Sequence, residues 1–238
     1  MPLAIDFLQT GSMADSTSKD RQEITFSSVP KAVVSRLSLY LRELQHLLGE
    51  GKQTVRSGEL GKRLGFTDAQ VRKDLTYFGQ FGYPGIGYRS EELVQAIRHI
   101  LGTDIEWRVV IVGIGNLGKA LLGYKGFASQ GFQIVAALDN DPKKMGTKLE
   151  GVKIHPITEL KKVVRQHRAR LGMVAVPAVA AQDVVDQLVD AGIDGIVNFA
   201  PVTINLPNHV SQVGVDLASE LEQITFAVAK RLQMHNEA

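Results

Sequence analysis

The sequence predicts an α/β protein, with an N-terminal winged helix-turn-helix domain followed by a Rossmann-like domain built on a parallel β-sheet. Three observations predict this fold class. Helical stripes of apolar residues fill the N-terminal part, strand and helix patterns alternate after Gly102, and a G-x-G-x-x-G turn opens the alternation. We expect four segments: a polar, tag-like lead at 1–22, the winged-helix domain at 23–102, the Rossmann-like domain at 103–215 and a final helix at 216–238.

The four helices expected before Gly102 each start at a proline or a capping residue and end near a glycine. The third begins at Thr67, where Thr67 and Gln70 form a T-x-x-Q capping box. Ser90 is expected to cap the fourth. A run of glycines and aromatic residues at 79–88 predicts a tight hairpin. The predicted helices are about 30–48, 57–64, 67–78 and 91–101.

The order helix, glycine turn, helix and hairpin is the layout of a winged helix-turn-helix. With Val71 and Leu75 buried, the open face of the third helix carries side chains suited to guanine edges and phosphates. The hairpin is narrow enough to lie along a minor groove or the DNA backbone. The alternative is a small protein-interaction module with a solvated basic edge. The candidate DNA contacts are Gln70, Arg72, Lys73, Thr76, Tyr83 and Tyr88.

Alternating elements after Gly102 predict a parallel sheet with helices on both faces. The strands are expected at 107–112, 133–138, 152–154, 173–176, 193–198 and 213–215. The helices are expected at 116–129, 158–167, 180–191 and 217–235. The last helix carries an apolar stripe, formed by Leu217, Leu221, Ile224, Val228 and Leu232.

The segment Gly113-Ile-Gly-Asn-Leu-Gly118 follows a predicted strand directly and opens a helix, which is the context of a dinucleotide-binding turn. Gly113 permits the tight turn, Gly115 lets the backbone approach a pyrophosphate, and Gly118 lets the helix pack closely on the strand. The N-terminus of the helix offers N–H groups to phosphates. The alternative is a glycine-rich turn that binds no ligand.

Asp139 ends the next predicted strand, 21 residues after Gly118, where dinucleotide-binding domains have an acidic residue. Its carboxylate would accept hydrogen bonds from a ribose diol and repel a 2′-phosphate. The pattern therefore favours NADH and NAD⁺ over the phosphorylated cofactors.

Composition excludes several classes of protein. The chain has no cysteine, so disulfides and thiolate chemistry are excluded, which fits a cytoplasmic protein. Its longest apolar run, 171–181, is shorter than the ~18 residues of a membrane span, and the first residues lack the basic region of a signal peptide. We expect no membrane partner.

Charge separates the two halves of the chain. Residues 21–101 hold twelve Lys and Arg against eight Asp and Glu, a net charge of +4, whereas residues 102–238 hold fourteen of each sign. A basic N-terminal half indicates a polyanionic partner for that half.

No catalytic constellation is visible. The six histidines are scattered without an H-x-x-x-H pair, there is no G-x-S-x-G motif, and one nucleotide-binding domain accounts for the residues after Gly113. We therefore expect neither a metal site nor an enzyme, and interpret the nucleotide as a signal. The alternatives are a small NAD-dependent oxidoreductase, and a regulator that senses another adenine-containing ligand such as a coenzyme A thioester.

From Pro30 to about Leu232 the sequence resembles the Rex family of redox-sensing transcriptional repressors. One of the similar motifs is the nucleotide loop, Gly113-Ile-Gly-Asn-Leu-Gly118. The other similar motifs are Ser35-Arg-Leu, Gln70-Val-Arg-Lys-Asp-Leu75, Tyr77-Phe-Gly79, Gly85-Ile-Gly-Tyr88, Val176-Pro-Ala178 and Asn198-Phe-Ala-Pro201.

The resemblance implies a homodimer whose C-terminal helix is swapped between the partner's two domains, although packing of that helix on its own domain is the simpler alternative. It implies binding to an inverted-repeat operator, repression of fermentation and respiration genes, and release when NADH binds. It further implies that Arg42, Tyr124 and Asp216 link the nicotinamide state to domain geometry. The remaining nucleotide contacts that it implies are Asn116, Leu117, Tyr124 and Pro177.

Overall fold

The computed structural model describes residues 29–236 of the 238-residue chain, so the predicted lead at 1–22 lies outside the described residues. Contacts divide the described residues into two units, one that ends at Leu101 and one that begins at Gly102. Among residues 29–236, no helix combines the length and the hydropathy that a membrane span requires.

Between residues 29 and 101, the first unit contains four helices and a small antiparallel sheet. The helices are α1 (Lys31–Gly49), α2 (Ser57–Leu64), α3 (Asp68–Thr76) and α4 (Ser90–Leu101). The strands are β1 (Thr54–Val55), β2 (Gly82–Tyr83) and β3 (Gly87–Arg89), in the order β1-β3-β2. Helices α2 and α3 with the β2–β3 hairpin form the expected winged helix-turn-helix, in which α3 is the recognition helix and the hairpin is the wing.

Local signals explain how α3 begins. Gly65 ends α2 with φ +76°, a left-handed conformation that glycine adopts at little cost. The hydroxyl of Thr67 then accepts a hydrogen bond from the Gln70 backbone N–H at 3.1 Å, as the capping box predicts. The second half of that box is wrong, because the Gln70 side-chain amide donates to Asp74 instead, at 2.7 Å. Ser90 is also not a preceding cap, since α4 begins at Ser90 itself.

The second unit is a seven-stranded sheet covered by helices. The strands are β4 (Trp107–Val112), β5 (Phe132–Asp139), β6 (Lys148–Leu149), β7 (Val152–Pro156), β8 (Leu171–Val174), β9 (Gly195–Asn198) and β10 (Ser211–Gly214). Their order is β10-β9-β8-β4-β5-β7-β6, and all neighbours pair in parallel except β6 with β7. The predicted parallel sheet is confirmed.

The helices of this unit are α5 (Asn116–Leu122), α6 (Gly126–Ser129), α7 (Leu160–His167), α8 (Ala178–Ala191) and α9 (Leu217–Asn236), with a 3₁₀ turn at Ile157–Glu159. Residues of β4 alternate between two cores: Val110 and Val112 face a cluster that includes residues of α7 and α8, while Val109 and Ile111 face a cluster that includes residues of α5. The single helix expected at 116–129 is wrong. It is divided at Gly123, a residue of low helix propensity.

Candidate nucleotide cleft and DNA-binding surface

Two glycines of the turn between β4 and α5 are required by the fold. Gly113 has φ +94°, and a Cβ there would lie 2.5 Å from the Ala175 carbonyl oxygen. A Cβ on Gly118 would lie 1.9 Å from the Gly113 carbonyl oxygen. The tight turn and the close helix–strand packing predicted for these two positions are therefore both present.

Gly115 differs from them because nothing in the protein requires a glycine there. Its φ of −77° is open to any residue, and a Cβ would meet no atom within 4 Å. A side chain would instead fill the space in front of the turn. The arrangement fits a pyrophosphate that approaches the backbone, next to the N–H groups of the first turn of α5, which begins with Asn116 and Leu117.

The carboxylate of Asp139 is fixed within the protein. Asp139 is 5% exposed, and its Oδ2 accepts hydrogen bonds from the Ile114 backbone N–H at 2.7 Å and from Lys144 Nζ at 3.0 Å. Its Oδ1 accepts from the Asp141 backbone N–H at 2.8 Å. Burial opposes ionisation, but these donors outweigh it and lower the pKa of Asp139 below its ordinary value. Asp139 is thus an ionised residue that holds the glycine turn.

A cleft of about 410 Å³ opens at the carboxyl ends of β4 and β8. The strand order reverses between β4 and β8, because the chain continues from β4 to β5 on one side and later returns to β8 on the other side. Ligands of parallel α/β sheets bind at such a reversal point. Four predicted nucleotide contacts line the cleft: Gly113, Gly115, Asp139 and Pro177. Sequence reasoning missed other lining residues, among them Asn140, Lys144, Ile157, Val176, Asp183 and Gln187.

The three residues implied as a redox switch lie on separate segments of the two units. Tyr124 is 57% exposed, and its ring lies edge-on to Phe127, with 4.9 Å between centroids. Asp216 caps α9, because its Oδ1 accepts from the Ala218 backbone N–H at 3.0 Å. Arg42 is exposed on α1 and belongs to the first unit, whereas Tyr124 and Asp216 belong to the second.

The recognition helix α3 presents three of its four candidate residues to solvent. Arg72, Lys73 and Thr76 are exposed. Arg72 Nη1 donates to Asp68 Oδ2 at 2.7 Å and to Ser57 Oγ at 3.2 Å, which orients the guanidinium toward the start of α2. Gln70 differs from the expectation, since it is half-buried and its amide is bound to Asp74.

Tyr83 and Tyr88 of the wing have different surroundings. Tyr83 is 41% exposed; its hydroxyl donates to Glu92 Oε2 at 3.0 Å, and the Arg89 guanidinium lies 4.8 Å from its ring centre. Tyr88 is 8% exposed and belongs to the core of the unit, but it also lines a groove beside Arg56 and Arg72, so its contact with DNA stays a prediction. Alternation along β3 turns Tyr88 inward and its neighbour Arg89 outward.

A groove of about 650 Å³ lies between the wing and the start of α2. Arg56, Ser57 and Arg72 line one part of it, and residues 82–85 of the wing line another. Two guanidinium groups beside a groove suit a phosphodiester backbone. Arg56 was not a sequence candidate. Within residues 29–236, no three acidic or histidine side chains are grouped as a metal site would require.

Two family models match the chain. One is described as a CoA binding domain and covers residues 104–202, and the other is described as a putative DNA-binding protein N-terminus and covers residues 28–76. Curated relatives carry the name Redox-sensing transcriptional repressor Rex, among them the following two. That of Carboxydothermus hydrogenoformans is 46% identical, over 85% of this chain and 97% of the relative. That of Chloroflexus aggregans is 43% identical, over 86% of this chain and 96% of the relative.

Solved structures of a protein called RSP are similar over both units. RSP in complex with β-NAD⁺ and operator DNA is 33% identical with a TM-score of 0.82, and the match covers 87% of this chain and 96% of that one. RSP in complex with β-NADH is 31% identical with a TM-score of 0.80, and the match covers 89% of this chain and 99% of that one.

Proposed function

The chain belongs to the family of redox-sensing transcriptional repressors called Rex, and from this premise we propose that it represses transcription by binding operator DNA until NADH releases it. Support comes from the pairing of two surfaces in one chain, a recognition helix with exposed Arg72 and Lys73 in the first unit and a nucleotide cleft in the second. The similar protein RSP has been solved with operator DNA, with β-NAD⁺ and with β-NADH.

The observation that carries the nucleotide half of the proposal is Gly115. Gly113 and Gly118 are explained by the fold, but the open space in front of Gly115 is explained by a ligand that needs the backbone bare. Bound NADH or NAD⁺ would place its pyrophosphate there, beside Asn116 and Leu117. Pro177 and Asp139 line the same cleft, with Asp139 on the side of the ribose.

The DNA half of the proposal rests on α3. Arg72, Lys73 and Thr76 are exposed on consecutive turns of a helix of the kind that enters a major groove. Tyr83 and Arg56 border the adjoining groove, where they would contact the DNA backbone. An operator-binding regulator works beside the chromosome, so the proposal places the chain in the cytoplasm.

We propose a homodimer formed through α9. This helix exposes an apolar stripe of Leu217, Leu221, Ile224, Val228 and Leu232, each at least 40% accessible in the single chain. Monomeric proteins rarely leave such a continuous apolar face in water. A second copy would cover it, in a swapped arrangement, and two recognition helices would then meet the two halves of an inverted repeat.

The switch that we propose uses Arg42, Tyr124 and Asp216. NADH and NAD⁺ differ only in the nicotinamide ring, so a response to one of them must arise from contacts beside that ring. Asp216 pairs with Arg42 in the DNA-binding state and with Tyr124 in the released state. One exchanged hydrogen bond to a charged group contributes ~1.5–3 kcal/mol per site, and two sites approach the ~5.5 kcal/mol that a 1:99 to 99:1 shift requires.

We infer that the chain is a regulator and not an enzyme, in keeping with relatives, matched over nearly their whole length, that are named repressors. When NADH is added, the purified protein should therefore release operator DNA without oxidising the NADH. Absorbance at the wavelength of the reduced nicotinamide measures consumption directly, and steady turnover with a small carbonyl substrate would favour the oxidoreductase alternative.

The match to a CoA binding domain model favours a second candidate ligand, a coenzyme A thioester. Both ligands carry adenine and a pyrophosphate, so the cleft alone admits either. Competition separates them: we expect coenzyme A to displace bound NADH only weakly, because its ribose bears a phosphate that the Asp139 carboxylate of the cleft would repel.

Gel retardation with a library of promoter fragments, with and without NADH or NAD⁺, tests the proposed function as a whole. We expect retention of fragments that contain an inverted repeat, and their release with NADH. Absence of any retained fragment would contradict the proposal.

A further inference from the structure

Asp74 is a buried carboxylate within the DNA-recognition helix. It is 0% exposed, although its neighbours Lys73 and Thr76 on α3 are exposed. Burying an ionised carboxylate is costly unless hydrogen bonds replace the lost water. A residue of this kind needs a reason beyond filling the core, because a leucine would fill the same space without that cost.

Three side chains satisfy the carboxylate completely. Arg36 of α1 binds it with two groups, Nε to Oδ2 at 2.5 Å and Nη2 to Oδ1 at 2.8 Å. The Tyr40 hydroxyl donates to Oδ2 at 2.7 Å, and Gln70 Nε2 donates to Oδ1 at 2.7 Å. Each oxygen therefore accepts two hydrogen bonds.

The hydrogen bonds of Arg36 also fix the orientation of the Asp74 carboxylate. A bidentate arginine fixes the plane of the carboxylate, whereas the leucines packed between α1 and α3 exert no directional force. Burial alone would raise the pKa of Asp74, but the hydrogen bonds of Arg36, Tyr40 and Gln70 outweigh it and lower that pKa. Asp74 is therefore held in its ionised form, and its interaction with Arg36 is a salt bridge.

We propose that Asp74 is a positioning residue that fixes the rotation of the recognition helix on α1 through Arg36 and Tyr40, and that Gln70 serves this cluster instead of reading a base. The inference rests on the proposed function, because it assigns α3 to operator DNA. We call Arg36, Tyr40, Gln70 and Asp74 the Asp74 cluster.

The role of Gln70 is where this inference departs from the usual expectation for a recognition helix. A glutamine reads adenine with its amide N–H and its carbonyl together. In this structure the Gln70 side chain is half-buried, and its amide nitrogen, which carries two N–H groups, is directed inward to Asp74. Base reading therefore falls to Arg72, Lys73 and Thr76, which are exposed.

The cluster also connects the recognition helix to a helix that carries a proposed switch residue. Arg36 and Tyr40 lie one turn apart on α1, and Arg42 follows on the same helix. A rotation of α1 would then be transmitted to α3 through hydrogen bonds with defined geometry.

The test compares Gln70→Leu, Tyr40→Phe and Asp74→Asn with a matched control, Gln95→Leu, at an exposed glutamine on α4. Fluorescence anisotropy measures affinity for the operator and for a set of operators that each carry one changed base pair. Thermal unfolding identifies the variants that fold. Gln70→Leu and Tyr40→Phe each remove one donor and leave the buried ion pair intact, so they carry the test if Asp74→Asn does not fold.

We expect the three variants to bind every operator of the set more weakly by a common factor, on the order of tenfold, with discrimination between base pairs and NADH affinity unchanged. The reason is that a misplaced helix lowers the binding-competent fraction for all sequences alike. The double variant Gln70→Leu/Asp74→Asn should lose little more than Asp74→Asn alone.

Two results would overturn the proposal. One is loss of discrimination at a single base pair in Gln70→Leu, which would make Gln70 a base reader. The other is wild-type operator affinity in folded Gln70→Leu and Tyr40→Phe. If the wild-type chain binds no operator, the proposed function is contradicted. That result is distinct from the two results that would contradict the role of the Asp74 cluster.

Discussion

Asp139 accepts hydrogen bonds from two segments of its own chain, the glycine turn at Ile114 and the loop that follows β5 at Asp141 and Lys144. A carboxylate has about four acceptor positions, so these bonds leave room for one ribose hydroxyl. Lys144 partly offsets the charge that was expected to repel a 2′-phosphate. At this residue, shaping the turn and selecting the nucleotide depend on the same two oxygen atoms.

Asp139→Asn should lose NADH affinity and narrow the preference for NADH over NADPH, because an acceptor and a negative charge are removed together. Fluorescence titration with both nucleotides measures this. Lys144→Met is the matched variant: it keeps the carboxylate and removes its cation, so we expect a stronger preference for NADH. Full NADH affinity and preference in Asp139→Asn would mean that Asp139 only supports the turn.

Arg72→Ala and Lys73→Ala should weaken operator binding and leave NADH affinity unchanged. A contact to a base edge costs ~1–3 kcal/mol and relaxes specificity at one position, whereas a contact to phosphate weakens all sequences and reduces the salt slope by about one. Salt-dependent anisotropy titrations distinguish the two kinds of contact.

Lys161→Ala is the control for these variants, since it removes one exposed positive charge from α7 in the second unit. We expect it to bind operator as the wild type does. If Arg72→Ala and Lys73→Ala both match this control, then α3 does not contact the DNA.

Elements that depend on local signals agree with the sequence predictions. The helix at 57–64 is predicted to end at Gly65, and α2 has those bounds. The strand at 107–112 likewise agrees with β4. In contrast, β1 has two residues, and its strand state depends on pairing with β3. No local pattern indicates such a strand.

The candidate site divides in the same way. The glycine turn and Asp139 are contiguous signals and were found. The far wall of the cleft comes from residues after β8: Pro177 was expected there through the family resemblance, but Asp183 and Gln187 were not, because only the sheet topology brings them near. The inward direction of the Tyr88 side chain depends on the register of β3. This strand has three residues, so it is too short for an alternation to be visible in the sequence.

At the scale of one helix, the exposed stripe of α9 gives a direct prediction. Ile224→Glu places a charge in the middle of the stripe, at a side chain 60% exposed in the single chain, so it should leave the fold intact and abolish the dimer. Light scattering should then give a mass near the 26.0 kDa of one chain, in place of twice that value.

Gln223→Glu introduces a charge on the opposite side of α9 and serves as the control. We expect it to remain dimeric. A dimer that persists in Ile224→Glu would show that another surface joins the two copies.

At the scale of the whole molecule, the chain has two units with separate cores, and each proposed ligand belongs to a different unit. A ligand shifts an equilibrium only as far as its affinity differs between the two states. Nucleotide binding must therefore change a contact that the DNA-binding unit also makes, and Asp216 with Arg42 is the contact we propose.

Tyr124→Phe should bind operator normally but require more NADH for release, because it keeps the ring beside Phe127 and loses only the hydroxyl. Operator anisotropy at increasing NADH gives the concentration for half release. Phe127→Leu, which changes the ring contact and keeps the hydroxyl, is the companion variant. Release of Tyr124→Phe at the wild-type NADH concentration would exclude the proposed exchange of partners.

The most direct test of the central claim is the release of one labelled operator from the wild-type chain, titrated in parallel with NADH and with NAD⁺ at constant salt. We predict that NADH releases the operator at a concentration at least about tenfold below that of NAD⁺, the factor that ~1.4 kcal/mol of differential binding provides. Equal release by both nucleotides, or no release by either, would contradict the account of this protein as a sensor of nicotinamide redox state.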